Sequence, residues 1–258
     1  MTSKLKFQLL GTGTSQGVPV IGCECSVCLS NNPKDHRLRN AAYLSDGTTH
    51  LLIDTGPDLR MQLLRAKISN VHAVLMTHEH NDHVAGMDDL RPINFLHRRT
   101  IPIYAEKRVC KQLKKSFEYI FDDQYNYPGK PRLTLQEISL KPFFCGDIKI
   151  IPIRVMHGEL PILGFRVDDI AYLSDVKTIP FLELNKLKGI KYLFLSALHH
   201  NPHHSHLNLN EALQLIEKIK PEQSFLTHCS HSMGLYKNIE KQLPENVNLA
   251  YDGLFVEI

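Results

Sequence analysis

No stretch of the chain approaches the roughly 18 apolar residues that a membrane-spanning helix requires, so no membrane span is expected. Charge of one sign is equally scarce in blocks. The 30 Lys and Arg residues against 27 Asp and Glu leave a net charge of only +3, with no basic run to form an electrostatic footprint for nucleic acid. The opening MTSKLKFQLLGTG carries an apolar stretch too short for a secretory leader and no small-residue cleavage site, and a soluble, cytoplasmic protein is the expectation. Internal repeats, low-complexity tracts and linkers are also missing. A chain of 258 residues with 43% hydrophobic content suffices for one core, so residues 1–258 are read as a single domain. The six cysteines, at 23, 25, 28, 110, 145 and 229, lack the regular spacing of a disulfide framework and read as ligands plus buried thiols.

What is present is alternation. The β-branched runs KFQLL, HLLID, HAVLMTH, IKIIPIRV, IAYLSD, KYLFLS and QSFLTH read as buried strands. Helical spacing occupies 57–67, 84–97, 106–120, 208–219 and 232–242, with Pro57 suited to the first turn of the first helix and Asn208 or Asn210 to the cap of the fourth. Early hairpins followed by strand–helix alternation predict an α/β (α+β) fold of two mixed sheets packed face to face with helices outside.

Histidine is abundant: fifteen residues, twelve of them from His78 onward. The clusters THEHNDH, MHGEL, LSD and THCSH each follow an apolar strand-like run, so rigid strands would present them at one sheet edge. Within THEHNDH, His78 and His80 are two apart on an extended segment and point the same way, while the following turn swings Asp82 and His83 towards a second position. Mixed imidazole and carboxylate donors suit zinc, manganese or iron rather than calcium. Taken singly, His157, Asp175 and His228 read as ordinary loop or strand-end residues.

THEHNDH resembles the H-x-H-x-D-H signature of the metallo-β-lactamase superfamily, and LLIDTG, MHG, LSD and LTH follow in that superfamily's order along nearly the whole chain. The resemblance implies a four-layer αββα sandwich with a dinuclear centre. His78, His80 and His157 would hold one cation, Asp82, His83 and His228 the other, and Asp175 would bridge them, with Asp54 in a supporting role. Two such cations about 3.5–4 Å apart can share a carboxylate and polarise a phosphoryl oxygen.

The stretch GCECSVC places Cys23, Cys25 and Cys28 within six positions, a structural-zinc pattern that still needs a fourth ligand. Cys110 and Cys145 read as small buried hydrophobes, which leaves Cys229 and His231. LGTGTSQGVPVIGCECSVC together with THCSH is similar to the PhnP family of phosphodiesterases, associated with carbon–phosphorus lyase pathways; that similarity implies a Cys₃His zinc of Cys23, Cys25, Cys28 and His231, with Cys229 as the alternative. The glycines of GTGTSQG match neither a dinucleotide fingerprint nor a phosphate loop and read as a loop entry.

The same similarity implies hydrolysis of small phosphodiesters, a cyclic sugar phosphate such as 5-phosphoribosyl 1,2-cyclic phosphate among them, with His206 as proton donor to the leaving oxygen, His200 in reserve, and Asp82 at the catalytic centre. Two catalytic divalent metals and one structural zinc are expected, with neither membrane nor nucleic acid as partner and homodimerisation left open. The rivals are a transfer-RNA 3′-processing endonuclease, which would bring a glycine-rich or basic substrate arm not evident here, and a non-catalytic metal-stabilised sensor or scaffold.

Overall fold

The computed structural model describes residues 4–125 and 127–258. The first sheet takes β1 (Lys6–Gly11), β2 (Ala41–Ser45), β3 (His50–Ile53), β4 (Ala73–Leu75), β5 (Ile101–Glu106) and β6 (Leu133–Ile138) side by side in chain order. The second takes β7 (Phe143–Cys145), β8 (Ile148–His157), β9 (Leu160–Val167), β10 (Ile170–Leu173), β11 (Tyr192–Ser196), β12 (Gln223–Thr227) and β13 (Val247–Leu249). A last strand, β14 (Phe255–Glu257), returns to pair antiparallel with β1.

Each sheet begins antiparallel and ends parallel: the change comes at β3 in the first and at β10 in the second. Parallel neighbours need crossovers, and here the crossovers carry the helices. They are α1 (Leu59–Ala66), α2 (Asn81–Val84), α3 (Arg91–His97), α4 (Lys107–Ser116), α5 (Glu118–Phe121), α6 (Leu209–Ile219) and α7 (Tyr236–Ile239).

Period-two alternation divides the apolar residues into three layers. Leu9, Leu51, Leu75, Tyr172 and Phe194 meet between the sheets, whereas Leu10, Leu52 and Val74 face the helices beside the first sheet, and Leu193, Leu195 and Ala171 those beside the second. The Phe7 ring lies 4.5 Å from that of Phe194 and 5.7 Å from that of Tyr172, so the two sheets touch directly. This is the four-layer αββα sandwich expected. No helix among the described residues is long and apolar enough to cross a membrane.

Several elements depart from the sequence expectations. Pro57 precedes the first helix, whose N-cap is Asp58. The span 84–97 divides into a 3₁₀ turn, Met87–Leu90, and α3, with Pro92 near the start of the latter. The span 106–120 breaks at Phe117, and 232–242 yields only short turns around α7. At α6 the cap is Asn208, in a reciprocal capping box with Glu211.

The ends of β3, β4, β8, β10 and β12 bring Asp54, His78, His157, Asp175 and His228 to one edge of the sandwich. At the opposite end of β1, Leu5 and Ile258 exchange backbone hydrogen bonds of 2.9 and 3.0 Å.

Candidate metal centre

Three of the strand tips turn sharply. Asp54, Asp175 and His228 adopt left-handed backbone conformations, with φ of 65°, 55° and 55°. Such conformations cost about 1–3 kcal/mol each outside glycine and persist where the surrounding structure over-determines them. Here they bend the chain as it leaves a strand, with all three side chains buried at the same edge. Between β4 and α2 the chain stays extended through His80 and then enters one helical turn, so the expected alternation followed by a swing is what the backbone does. Gly56 lets the β3–α1 turn lie against α2, because a side chain at 56 would run into the carbonyl of Asp82.

His78, His80 and His157 offer nitrogens that all lie within 4.8 Å of one another. The His78 Nε2 to His80 Nδ1 distance is 3.0 Å, close to the separation of about 3.3 Å that two imidazoles adopt on one tetrahedral cation. Orienting contacts fix which nitrogen is free. Thr77 Oγ1 donates to Asp54 Oδ2 at 2.8 Å and accepts from His78 Nδ1 at 3.0 Å, and His157 Nδ1 donates to the Ser205 carbonyl at 2.9 Å. Asp54 also accepts from His83 Nδ1 at 2.7 Å, so this carboxylate orients that imidazole. The orienting groups of Thr77 and Ser205 were not anticipated from sequence; the Thr that precedes the first histidine of THEHNDH was the available signal.

Asp82, His83, Asp175 and His228 form a second cluster, and Asp175 joins His157 and His206 in a third, so this one carboxylate reaches both groups of imidazoles. Asp175 Oδ2 lies 3.2 Å from His83 Nε2, and Oδ1 lies 3.1 Å from His228 Nε2. Yet His83 Nε2, His228 Nε2 and Asp175 Oδ2 are buried without a hydrogen bond. Donor atoms aimed into one buried space without pairing are what a shared divalent cation would satisfy, so these residues fit such a cation.

The electrostatics say the same. Burial opposes ionisation of Asp175, but the imidazoles of His228 and His83 outweigh it and hold the carboxyl well below its usual range. Asp82 is lowered in the same way, by His228 and His83 against burial. Burial also opposes a charged His228, but the Asp175 carboxylate raises it to about 9; His83 is raised for the same reason, by Asp175 and Asp54. The space therefore favours positive charge, and protons and cations compete for it.

His206 lies beside these clusters, its ring 4.5 Å from that of His157 and 5.0 Å from that of His228. Burial and the neighbouring His228 lower its pKa to about 2. The structure does not bring His200 to the same place: its Nε2 sits 2.8 Å from the Met233 carbonyl.

The cysteine cluster lies beside the same edge. His231 Nδ1 is 3.2, 3.4 and 3.5 Å from the sulfurs of Cys23, Cys25 and Cys28. Tetrahedral zinc with Zn–S of about 2.3 Å and Zn–N of about 2.0 Å sets sulfur and nitrogen about 3.5 Å apart, so the four donors fit it. The Cys28 N–H points at the Cys25 sulfur at 3.4 Å and lowers that thiol to about 6, whereas burial raises Cys28 to about 11. Cys229, the alternative fourth ligand, is fully buried in the apolar layer beside the second sheet, with its sulfur towards the Leu226 and Thr227 carbonyls. Its backbone holds the glycine loop instead: Cys229 N–H donates to the Thr12 carbonyl at 2.9 Å, and Thr14 N–H to the Cys229 carbonyl at 3.2 Å.

Elemental analysis of the purified protein is expected to find about three divalent metals per chain. Uptake by the Asp82, His83, Asp175 and His228 cluster should release protons and tighten as pH rises towards about 9, since His83 and His228 must deprotonate to bind. A single metal, or uptake insensitive to pH, would contradict this assignment.

The description "Beta-lactamase superfamily domain" matches residues 49–229. The octanoyltransferase of Porphyromonas gingivalis is 41% identical over 249 residues, covering 95% of this chain and 50% of that protein. Coenzyme PQQ synthesis protein B of Methylorubrum extorquens is 35% identical over 166 residues, covering 52% of this chain and 56% of that protein. The chain thus spans about half the length of these curated relatives. Among solved structures, the crystal structure of a new diphosphatase from the PhnP family is 37% identical, with 99% of this chain and 97% of that chain covered and a TM-score of 0.93.

Proposed function

Since this chain belongs to the β-lactamase superfamily and, within it, to the PhnP family, we propose that it is a metal-dependent hydrolase of small phosphodiesters. The observation that carries this reading is Asp175: one fully buried carboxylate faces His83 and His228 on one side and reaches the cluster of His157 on the other. His78, His80 and His157 would hold one cation and Asp82, His83 and His228 the second, with Asp175 common to both. When bound, such a pair supplies Lewis acidity towards a phosphoryl oxygen and makes a water acidic near neutral pH.

The chain's own residues do the positioning. Asp54, Thr77 and the Ser205 carbonyl keep one nitrogen of His83, His78 and His157 turned to the shared space. His206 stands beside His157, His228 and Asp175, within reach of an ester held at that site. With its pKa lowered to about 2, it is neutral in the free protein and offers the ester a hydrogen bond; to act as an acid it would first take up a proton from solvent, which the negative charge of a bound phosphate favours, and then pass that proton to the leaving oxygen.

The solved relative is a diphosphatase, and a diphosphate diester also presents phosphorus linked through a bridging oxygen. The test is therefore a panel: a chromogenic linear diester, a five-membered cyclic phosphate of ribose, a diphosphate diester and precursor transfer RNA. Turnover of the small substrates supports the proposal. Activity on RNA alone would favour the endonuclease reading, and a fully metallated protein inert on all four would favour a scaffold. His206→Ala is expected to slow esters of poor leaving groups about a hundredfold and activated ones much less, because activated esters need little protonation. Equal losses would remove the donor role.

A further inference from the structure

The three-imidazole cluster is assembled across the two sheets. His78 and His80 follow β4 of the first sheet, and His157 ends β8 of the second. Three nitrogens within 4.8 Å require the separation between these segments to be held. One main-chain bond helps, from Leu163 N–H to the Thr77 carbonyl at 3.1 Å.

A side chain spans the same gap. Glu79, between His78 and His80, pairs with Nη1 of Arg108 in the first turn of α4. The other terminal nitrogen of Arg108, Nη2, donates to the Pro161 carbonyl at 2.8 Å. Pro161 stands opposite Met156 in the β8–β9 ladder, next to the Leu160–His157 pair, so it belongs to the hairpin that carries the third imidazole. One planar guanidinium therefore engages both ligand-bearing segments at once, which a flexible point charge such as lysine cannot reproduce. The junction of β5 and α4 grips this hairpin a second time: Glu106 accepts from Arg154 Nη1 at 2.7 Å, three residues before His157. Arg108, unlike Glu106 and Arg154, also touches the segment of His78 and His80.

We infer that Arg108 is a positioning residue for the His78, His80 and His157 site, setting the distance between the two sheets' contributions through Glu79 and Pro161. This rests on the reading of that cluster as a cation site. As an exposed ion pair alone, Arg108 with Glu79 would contribute little, since the Arg108 side chain is 37% exposed. Its effect comes from geometry, and outer partners of ligands typically change metal affinity by about 10–100-fold.

The test is a cobalt titration of metal-stripped wild type, Arg108→Ala, Arg108→Lys and Glu79→Gln, followed by visible absorption and thermal melting. Arg108→Ala should weaken one of the two histidine-rich sites about 10–100-fold. The cobalt–thiolate bands of the cysteine site and the melting temperature of the metal-free protein should stay unchanged. Arg108→Lys should recover only part of the affinity, and Glu79→Gln should fall between. Wild-type affinities in Arg108→Ala would overturn the inference. So would a raised KM with metal affinity intact, which would make Arg108 a substrate contact. A wild type that binds no cobalt outside the cysteine site would instead remove the functional reading on which this inference stands.

Discussion

Asp175→Ala is expected to lower turnover of a phosphodiester by a factor on the order of 10³ or more, about 4 kcal/mol of lost transition-state stabilisation. The side chain is 2% exposed and sits at a left-handed strand tip, so its place is closed to bulk solvent. Its removal leaves His83 Nε2 and His228 Nε2 facing a hole that held the anion 3.2 and 3.1 Å away, and it disconnects the cluster of His157 from that of Asp82. Asp175→Asn keeps the shape but turns one of the two acceptors into a donor, and should be nearly as damaging. Rates would be read beside the metal content of each variant. An Asp175→Ala protein with its full complement of metals and more than a tenth of wild-type turnover would end the shared-carboxylate argument.

His231→Ala should remove one metal and lower the melting temperature by about 6–12 °C. The Cys₃His cluster ties Cys28 to a residue 203 positions later, closing one of the longest loops available to the chain. Closing so long a loop restricts the unfolded state by several kcal/mol in the chain-entropy view; taking about 3 of these, and about 2–4 °C per kcal/mol for a chain of this size, gives the stated shift. Turnover should suffer less, by about tenfold. His228 is three residues away, but its position also depends on its own left-handed turn and on the Cys229 N–H bond to Thr12. Differential scanning with elemental analysis decides the matter: an unchanged melting point with three metals retained would show that His231 is not a ligand of the cysteine site.

The strand runs that the sequence displays most openly, such as KYLFLS and QSFLTH, are central strands with apolar residues on both faces. Those it conceals have local reasons for doing so. β5 and β9 contain Pro102 and Pro161, and β9 also has Gly164, where a side chain would collide with Leu173 of the neighbouring strand. β6, at the edge of the first sheet, has several exposed positions and so lacks a clean apolar alternation.

At the site, residue types and order were legible because several ligand types crowd into THEHNDH. Choices between near neighbours were not. Cys229 and His231 are separated by one residue, and the turn at His228 that sends one to the core and the other to the thiols is a backbone angle that no residue type announces. His200 and His206 are alike as sequence, and only tertiary packing sets one against Met233 and the other against His157 and His228. Arg108 was invisible because its two partners, Glu79 and Pro161, lie 29 and 53 positions away.

The backbone exchange between Leu5 and Ile258 has an architectural consequence. Because these residues sit side by side at the end of β1 away from the ligand-bearing strand tips, chain leading in before Leu5 or on beyond Ile258 would pass away from the metal-ligand edge rather than cap it.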